Sequence, residues 1–362
     1  MRPRRLLIVD ASTVIRRALA AALSDEPGID VVGSASSGRI ALMKLPLLLP
    51  DVVALDAGLP GPESLDTLAA IRATFPRLPV IMLSAATPRS AAATVDALSR
   101  GANDYIMKSD AAVPSDQSLT TLGADLVSKI EACCLTAVAA RPAAVPRRPW
   151  PPPAVARVDV VAIGVSTGGP GALMDLIPMF AADFPVPILI VQHMPPMFTK
   201  LLAERLNSRC AISVMEATSG MLLEPGKAWV APGDFHLGLE RTDGKLYTRV
   251  FVGPPENSCR PAVDVMLRSV AQHFGVGCLS VILTGMGQDG LRGCEAVSSA
   301  GGQIVAQDEA SSVVWGMPGF VAQAGLASRV LPLDEIASEI LRRVMLGRVR
   351  NTLGSRFLGA AA

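Results

Sequence analysis

The sequence predicts two α/β domains, each a parallel sheet wound on both faces by helices. Three observations carry this. Strand-length apolar runs alternate with amphipathic stretches of helical spacing through both halves of the chain. In the first half those runs end at Asp10, Asp56, Ser84 and Lys108, which gathers polar side chains along one sheet edge. A proline-rich stretch then interrupts the rhythm before it restarts.

Composition sets the outer limits. With 362 residues, half of them hydrophobic, the chain can bury a separate core in each of two domains. A formal net charge of +1 argues against a nucleic-acid partner and against acidic disorder. No apolar run reaches the roughly 18 residues of a membrane span, so no membrane insertion is expected. The basic start (Arg2, Arg4, Arg5) leads into an apolar stretch that Asp10 interrupts, which reads as a first strand and not as a signal peptide. Six scattered cysteines without a Cys-x-x-Cys pair read as reduced thiols, hence a cytoplasmic location. With only three histidines beside them, they offer no zinc-ligand spacing.

Residues 1–132 form the first domain, with strands ending at the four polar residues above and helices including 13–23 and 64–75. The connector is 133–157; its proline-rich part, 141–157, can hold neither a helix nor an interior strand. The second domain, 158–347, has expected strands at 158–164, 187–192, 211–216, 278–284, 303–307 and 329–332. Helices are expected at 170–180, 198–208, 261–274, 290–300, 317–324 and 334–346. Hairpin-like pieces around 228–230 and 246–252 make an antiparallel excursion, and 348–362 is a tail.

The chemistry lies in the second domain. Ser166 stands in Gly164-Val165-Ser166-Thr167-Gly168-Gly169, a glycine-rich turn between an apolar strand and a helix start. Such a turn offers a hydroxyl together with backbone amide donors. His193 follows the strand at 187–192, and Asp289 follows the strand at 278–284 in Thr284-Gly285-Met286-Gly287-Gln288-Asp289-Gly290. All three fall at one edge of a parallel sheet and supply nucleophile, base and orienter for acyl transfer. Their order, Ser…His…Asp, differs from that of α/β-hydrolases despite the Gly-x-Ser-x-Gly match.

Singly, each piece has a plainer reading. Glycine turns after strands commonly bind phosphate, but this one lacks the lysine of a P-loop and the spacing of a dinucleotide fingerprint. A histidine after a strand is commonly structural, and Asp-Gly is commonly a turn. Three residue types meeting on one edge favour a hydrolase; a non-catalytic scaffold docking signalling partners and a nucleotide-binding regulator are the alternatives. His236, in a turn, is a candidate for supporting the site from behind or for contacting substrate, and Arg260 could reach a substrate carboxylate or merely cap a surface.

Residues 158 to about 346 resemble the catalytic domain of the chemotaxis protein-glutamate methylesterases, the CheB family. The resemblance rests on Ile-Gly-Val-Ser-Thr-Gly-Gly-Pro at 163–170, Val-Gln-His-Met-Pro at 191–195 and Ala-Pro-Gly-Asp-Phe-His at 231–236. It continues with Arg-Pro-Ala-Val-Asp-Val-Met at 260–266, Leu-Thr-Gly-Met-Gly-Gln-Asp-Gly at 283–290 and a motif at 306–318. It implies that Ser166 attacks the γ-carbonyl of a methylated glutamate on a methyl-accepting chemotaxis receptor, with His193 as base and Asp289 as orienter. It also implies backbone amides of Thr167 and Met286 as oxyanion donors, no catalytic cofactor, release of methanol, and deamidation of certain glutamines at the same site.

Residues 4 to about 130 resemble a response-regulator receiver, which implies a flavodoxin-like first domain beside a Rossmann-like second one. The resemblance implies Asp56 as phospho-acceptor from a chemotaxis histidine kinase, Ser84 and Tyr105 as switch residues, and Lys108 as the supporting lysine. It implies Mg²⁺ at Asp10 and Asp56. Here the chain departs from the pattern: Ala11 stands where a second acid is usual, which weakens the hold on a hard cation. Ser64 replaces a usual glycine, and Ser109 a usual proline after Lys108. The family logic further implies a receiver that covers the Ser166 cleft until phosphorylated. On that expectation a chain lacking residues 1–150 hydrolyses ester faster than the full-length protein. Equal rates in side-by-side assays would count against autoinhibition.

Overall fold

Apolar runs buried on both faces build the two sheets. The computed structural model describes residues 2–108, 116–135 and 157–357, and the chain divides into two units, 1–141 and 142–362. In the first unit the strands are β1 (Arg4–Val9), β2 (Ile29–Ala35), β3 (Val52–Asp56), β4 (Val80–Ser84) and β5 (Asp104–Met107). They pair in parallel in the order β2-β1-β3-β4-β5. Helices α1 (Thr13–Ala22), α2 (Gly38–Leu48), α3 (Glu63–Thr74), α4 (Pro88–Ser99) and α5 (Asp116–Leu135) alternate with them. Chain order reverses at β1, where β2 lies on one side and β3 on the other, so Asp10 and Asp56 emerge together at the switch point. Helix α5 runs past the boundary expected at 132 and buries Cys133 and Cys134. The proline-rich part of the connector lies outside the described residues, apart from Arg157.

The second unit has nine strands among its described residues: β6 (Val160–Val165), β7 (Ile188–Gln192), β8 (Ser213–Glu216), β9 (Lys227–Val230), β10 (His236–Thr242), β11 (Lys245–Phe251), β12 (Cys278–Ile282), β13 (Gln303–Gln307) and β14 (Arg329–Leu331). Seven form a parallel sheet in the order β14-β13-β12-β6-β7-β9-β8, while β10 and β11 form a separate antiparallel ribbon. Its helices are α6 (Gly169–Leu176), α7 (Pro196–Asn207), α8 (Val263–Phe274), α9 (Leu291–Ser299), α10 (Met317–Gln323) and α11 (Leu333–Phe357). Helix α8 turns Val263, Met266, Leu267 and Val270, spaced i, i+3, i+4 and i+7, into a core with Val160 and Ala162 of β6. Each such burial stabilises by about 1.5–3 kcal/mol.

Two expectations are corrected. The piece at 228–230 is no part of a hairpin: β9 lies between β7 and β8, parallel to both, and Ala228, Trp229 and Val230 are buried as in an interior strand. The antiparallel excursion is instead β10–β11, turned at Asp243-Gly244, both with positive φ as a two-residue hairpin needs. The expected tail at 348–362 continues α11 as far as Phe357. Arg348 ties that helix back, donating from Nη1 to Val158 O (3.0 Å) and from Nη2 to Pro185 O (3.1 Å).

Candidate active site

Register alone brings Ser166 and His193 side by side. Val165, the last residue of β6, pairs with Gln192, the last of β7, and the next residues are Ser166 and His193. On the other flank β12 pairs with β6 in parallel, and Ser166 N donates to Thr284 O (3.0 Å) just beyond β12. Asp289 is five residues further along that loop. Ser166 and His193 are half-buried, whereas Asp289 is 2 % exposed. The His193 side chain, 12 % exposed, therefore stands against a carboxylate side chain that is 2 % exposed.

The Ser166 turn is held by its own backbone. Gly169 N donates to Ser166 O (2.8 Å), and so does Gln192 Nε2 (3.0 Å). Thr284 Oγ1 donates to Thr167 O (2.9 Å), fixing the peptide that follows the serine. Gly168 has φ +77°, a conformation that side chains disfavour. At Gly285 a Cβ would sit 2.8 Å from Ser166 Cβ, so only glycine lets that strand end approach. Thr167 is buried and Met286 exposed on the two loops that flank Ser166.

The imidazole is anchored on one side. His193 Nε2 bonds Asp289 Oδ2 at 2.8 Å. Asp289 also caps α8, whose N-cap Ala262 has no side-chain acceptor: Oδ2 accepts from Val263 N (2.6 Å) and Oδ1 from Asp264 N (3.0 Å). Oδ1 further accepts from Gly290 N (3.0 Å) and Asn257 Nδ2 (3.1 Å). Asp264 answers it: Oδ1 accepts from Gly290 N and Gly293 N, and Oδ2 from the same Asn257 amide. Burial pushes the Asp289 pKa up, but His193 and the helix amides outweigh it and hold it below the ordinary value. For Asp264 burial prevails over Gly293 N, and its pKa is raised. Burial opposes charge on His193, yet the bond to Asp289 and the neighbouring Cys259 lift its pKa to about 9.

With Nε2 committed to Asp289, Nδ1 is the ring nitrogen left to receive a nucleophile's proton. It lies 3.5 Å from Cys259 Sγ. Among the described residues no hydrogen bond joins the Ser166 hydroxyl to His193; such contacts often close only around substrate.

Of the two roles open to His236, the contacts it makes are those of a support for the site loop. It is 1 % exposed; Nε2 donates to Pro254 O (2.9 Å) and Nδ1 accepts from Ala262 N (3.3 Å), so both nitrogens serve the 254–262 loop. Arg260, half-buried in that loop, donates from Nη1 to Gly253 O (2.9 Å). Gln192, Thr284, Asn257 and Asp264 also serve the site, beyond the residues that the sequence predicts. Three of them stand inside or beside the quoted motifs; Asn257 carries no sequence signal, since its role comes from a positive-φ loop (φ +51°).

In the first unit Lys108 Nζ bridges Asp10 Oδ2 (3.0 Å) and Asp56 Oδ1 (2.6 Å). Burial raises the Asp10 pKa, with Asp56 adding and Lys108 opposing. Ser84 points elsewhere: its Oγ accepts from Thr94 Oγ1 (2.9 Å) and lies 3.2 Å from Ser90 Oγ, both on α4. Tyr105 lies under Lys129 Nζ at 5.9 Å, and burial pushes its phenol pKa well up. Ser64 is buried, its hydroxyl donating to Ala57 O (3.4 Å). Ser109 lies outside the described residues.

Comparison with known proteins gives this geometry its family. A protein of Trichodesmium erythraeum named protein-glutamate methylesterase/protein-glutamine glutaminase is 48% identical over 347 residues, covering 94% of this chain and 99% of its own. The chain belongs to the CheB methylesterase family. The family profile described as CheB methylesterase matches residues 161–340, and that of the response regulator receiver domain matches 6–113. A Nocardioides protein of the same name is 43% identical over 96% of this chain and 97% of its own. The crystal structure of the Thermotoga maritima CheB methylesterase catalytic domain superposes with a TM-score of 0.50 at 43% identity, covering 52% of this chain and 98% of that one.

Mg²⁺, which receiver domains imply, fits this CheB-family chain poorly. The pocket offers Asp10 and Asp56, Ala11 contributes no oxygen, and the Lys108 ammonium already bridges both carboxylates. Asp10 Oδ1 and Asp56 Oδ1 are further bonded to Ser12 N and Gly58 N. Restoring the acid should reverse this: Ala11→Asp is expected to tighten Mg²⁺ binding by about tenfold or more in calorimetric titration. Equal affinity in the two proteins would contradict it.

Proposed function

We propose that this protein hydrolyses γ-methyl esters of glutamate side chains on methyl-accepting chemotaxis receptors, releasing methanol, and deamidates particular receptor glutamines. The observation that carries the mechanism is the His193–Asp289 pair, 2.8 Å apart, on the rim where the Ser166 turn emerges. Ser166 Oγ attacks the γ-carbonyl as its proton passes to His193 Nδ1. Backbone amides of Thr167 and Met286 receive the oxyanion, a charge that fixed donors stabilise without reorganising. The tetrahedral intermediate collapses to a glutamyl ester on Ser166, and methanol leaves with the proton from His193. Water, deprotonated by His193, then cleaves that ester to the carboxylate and frees Ser166. With a glutamine substrate, ammonia leaves in place of methanol.

Asp289 keeps one ring nitrogen protonated and stabilises the imidazolium during transfer. The chain supplies nucleophile, base and donors itself, so this chemistry requires no cofactor. A scaffold would have no use for a buried carboxylate holding an imidazole beside a serine turn, and the family match favours the enzyme. Arg260 at the loop edge suits a contact with a receptor carboxylate. Asp56 is the proposed acceptor of a phosphoryl group from a chemotaxis histidine kinase. Among the described residues no helix is long and apolar enough to cross a membrane. Six free thiols suit the reducing cytoplasm. Incubation with methylated receptor should release methanol in step with loss of methyl groups from the receptor; a receptor whose methyl content stays constant refutes the reading.

A further inference from the structure

One nucleophile at this site has no part in the mechanism above. Cys259 Sγ lies 3.5 Å from His193 Nδ1, while Nε2 of the same ring is 2.8 Å from Asp289 Oδ2. Thiol, imidazole and carboxylate thus form one compact cluster, with donor atoms all within 4.8 Å of one another. A short loop turn fixes the sulfur there: Glu256 and Cys259 exchange backbone hydrogen bonds (3.1 and 2.8 Å) around Asn257 and Ser258, both with positive φ. The sulfur also lies 3.4 Å from Asn257 O.

We propose that Cys259 is a reactive thiol, activated by His193, whose disulfide exchange with a small-molecule disulfide shuts off hydrolysis at Ser166. The inference rests on the Ser166–His193 reading for its consequence. The exchange is balanced within its own reactants. His193 Nδ1 takes the thiol proton, and Sγ attacks one sulfur of the disulfide. The new S–S bond to Cys259 forms as the old one breaks, and the departing thiolate takes the proton from His193. Cys259 is oxidised and half of the incoming disulfide is reduced to a thiol.

Selectivity follows from surroundings. Cys133, Cys134, Cys278 and Cys294 are buried, and burial pushes Cys133 up to about 12, Cys134 to about 11, Cys294 to about 12 and Cys278 higher. Cys210 is half-buried and pushed up to about 11, again by burial. Thiolates are the reacting species, so five of the six thiols are poor nucleophiles. Cys259 Sγ lies beside the His193 imidazole, and the residue is half-buried. Its consequence is geometric: Ser166 and Cys259 need the same ring nitrogen. An adduct on Sγ would fill the space beside Nδ1 and leave Ser166 without its proton acceptor.

The test uses the full-length protein and oxidised glutathione, with adducts mapped by mass spectrometry and methanol release assayed in parallel. Cys259 is expected to form the adduct at least about tenfold faster than Cys210, with hydrolysis falling in proportion and dithiothreitol restoring it. The ratio of treated to untreated activity should stay near one in Cys259→Ala and fall as in wild type in Cys210→Ala. His193→Gln should slow the adduct at Cys259 by about tenfold, and by mass alone this needs no activity. An adduct spread evenly over the thiols, or one that fills Cys259 while hydrolysis continues undiminished, overturns the proposal. If the untreated protein released no methanol, the functional reading would fail instead, and the adduct rates would still decide the reactivity of Cys259.

Discussion

Replacing Ser166 by alanine is expected to cut methanol release from methylated receptor by at least about a thousandfold. The loss is chemical and not structural. The turn is held through the Ser166 backbone, which donates to Thr284 O and accepts from Gly169 N and Gln192 Nε2. None of these involves the hydroxyl, and alanine keeps the Cβ that packs against Gly285. Thermal unfolding should therefore shift by no more than about 0.5 kcal/mol, the range of an uncoupled surface change. Undiminished release from a folded Ser166→Ala protein would remove the serine from the mechanism.

Asp289→Asn tests the other end and should cost about ten-thousandfold in turnover. The amide keeps the shape but not the carboxylate whose bond, together with Cys259, holds the His193 pKa at about 9. Asparagine must also aim an N–H₂ at carboxylate positions that now accept from Val263, Asp264 and Gly290 amides. A donor facing donors costs about 1–3 kcal/mol of stability, so the variant should unfold earlier as well. The pH profile separates the two effects. In the wild type the base form of His193 appears as pH rises towards about 9, so turnover climbs over that range; in Asp289→Asn the climb should move to lower pH.

Stability runs the other way. The folded pKa of about 9 lies above the ordinary 6.5, so the His193 contribution is complete below 6.5 and lost as pH rises through about 9. Asp289, depressed by the same pair, contributes above the ordinary carboxylate range and loses that contribution as acid carries the pH through its lowered value. A pH–rate curve with the same midpoint in wild type and variant would contradict this coupling.

Much of the frame was readable from local pattern. Strands such as β6 and β12 are buried along their whole length, so they appear as unbroken apolar runs whose ends mark the polar edge. The helix α8 announces itself by the spacing of Val263, Met266, Leu267 and Val270. Edge strand β2 is not legible in the sequence, because most of Ile29–Ala35 is only partly buried and its apolar signal is weak. Strand β9 is legible only as a short apolar piece, because its four residues carry no direction; pairing partners decide whether a short strand runs parallel.

By itself, then, the sequence determined two sheet-and-helix domains, the polar edge of each, and the three side-chain types of an acyl-transfer site. Contacts between distant segments decided the rest. Only the folded chain shows that Asp289 caps α8 while it holds His193, that Asn257 ties two buried carboxylates together, and that His236 is an anchor. Only there does Cys259 approach the ring nitrogen that Asp289 does not hold. Hydrogen bonds between residues dozens of positions apart depend on register and loop conformation, and neither is written in the local alternation of apolar and polar residues.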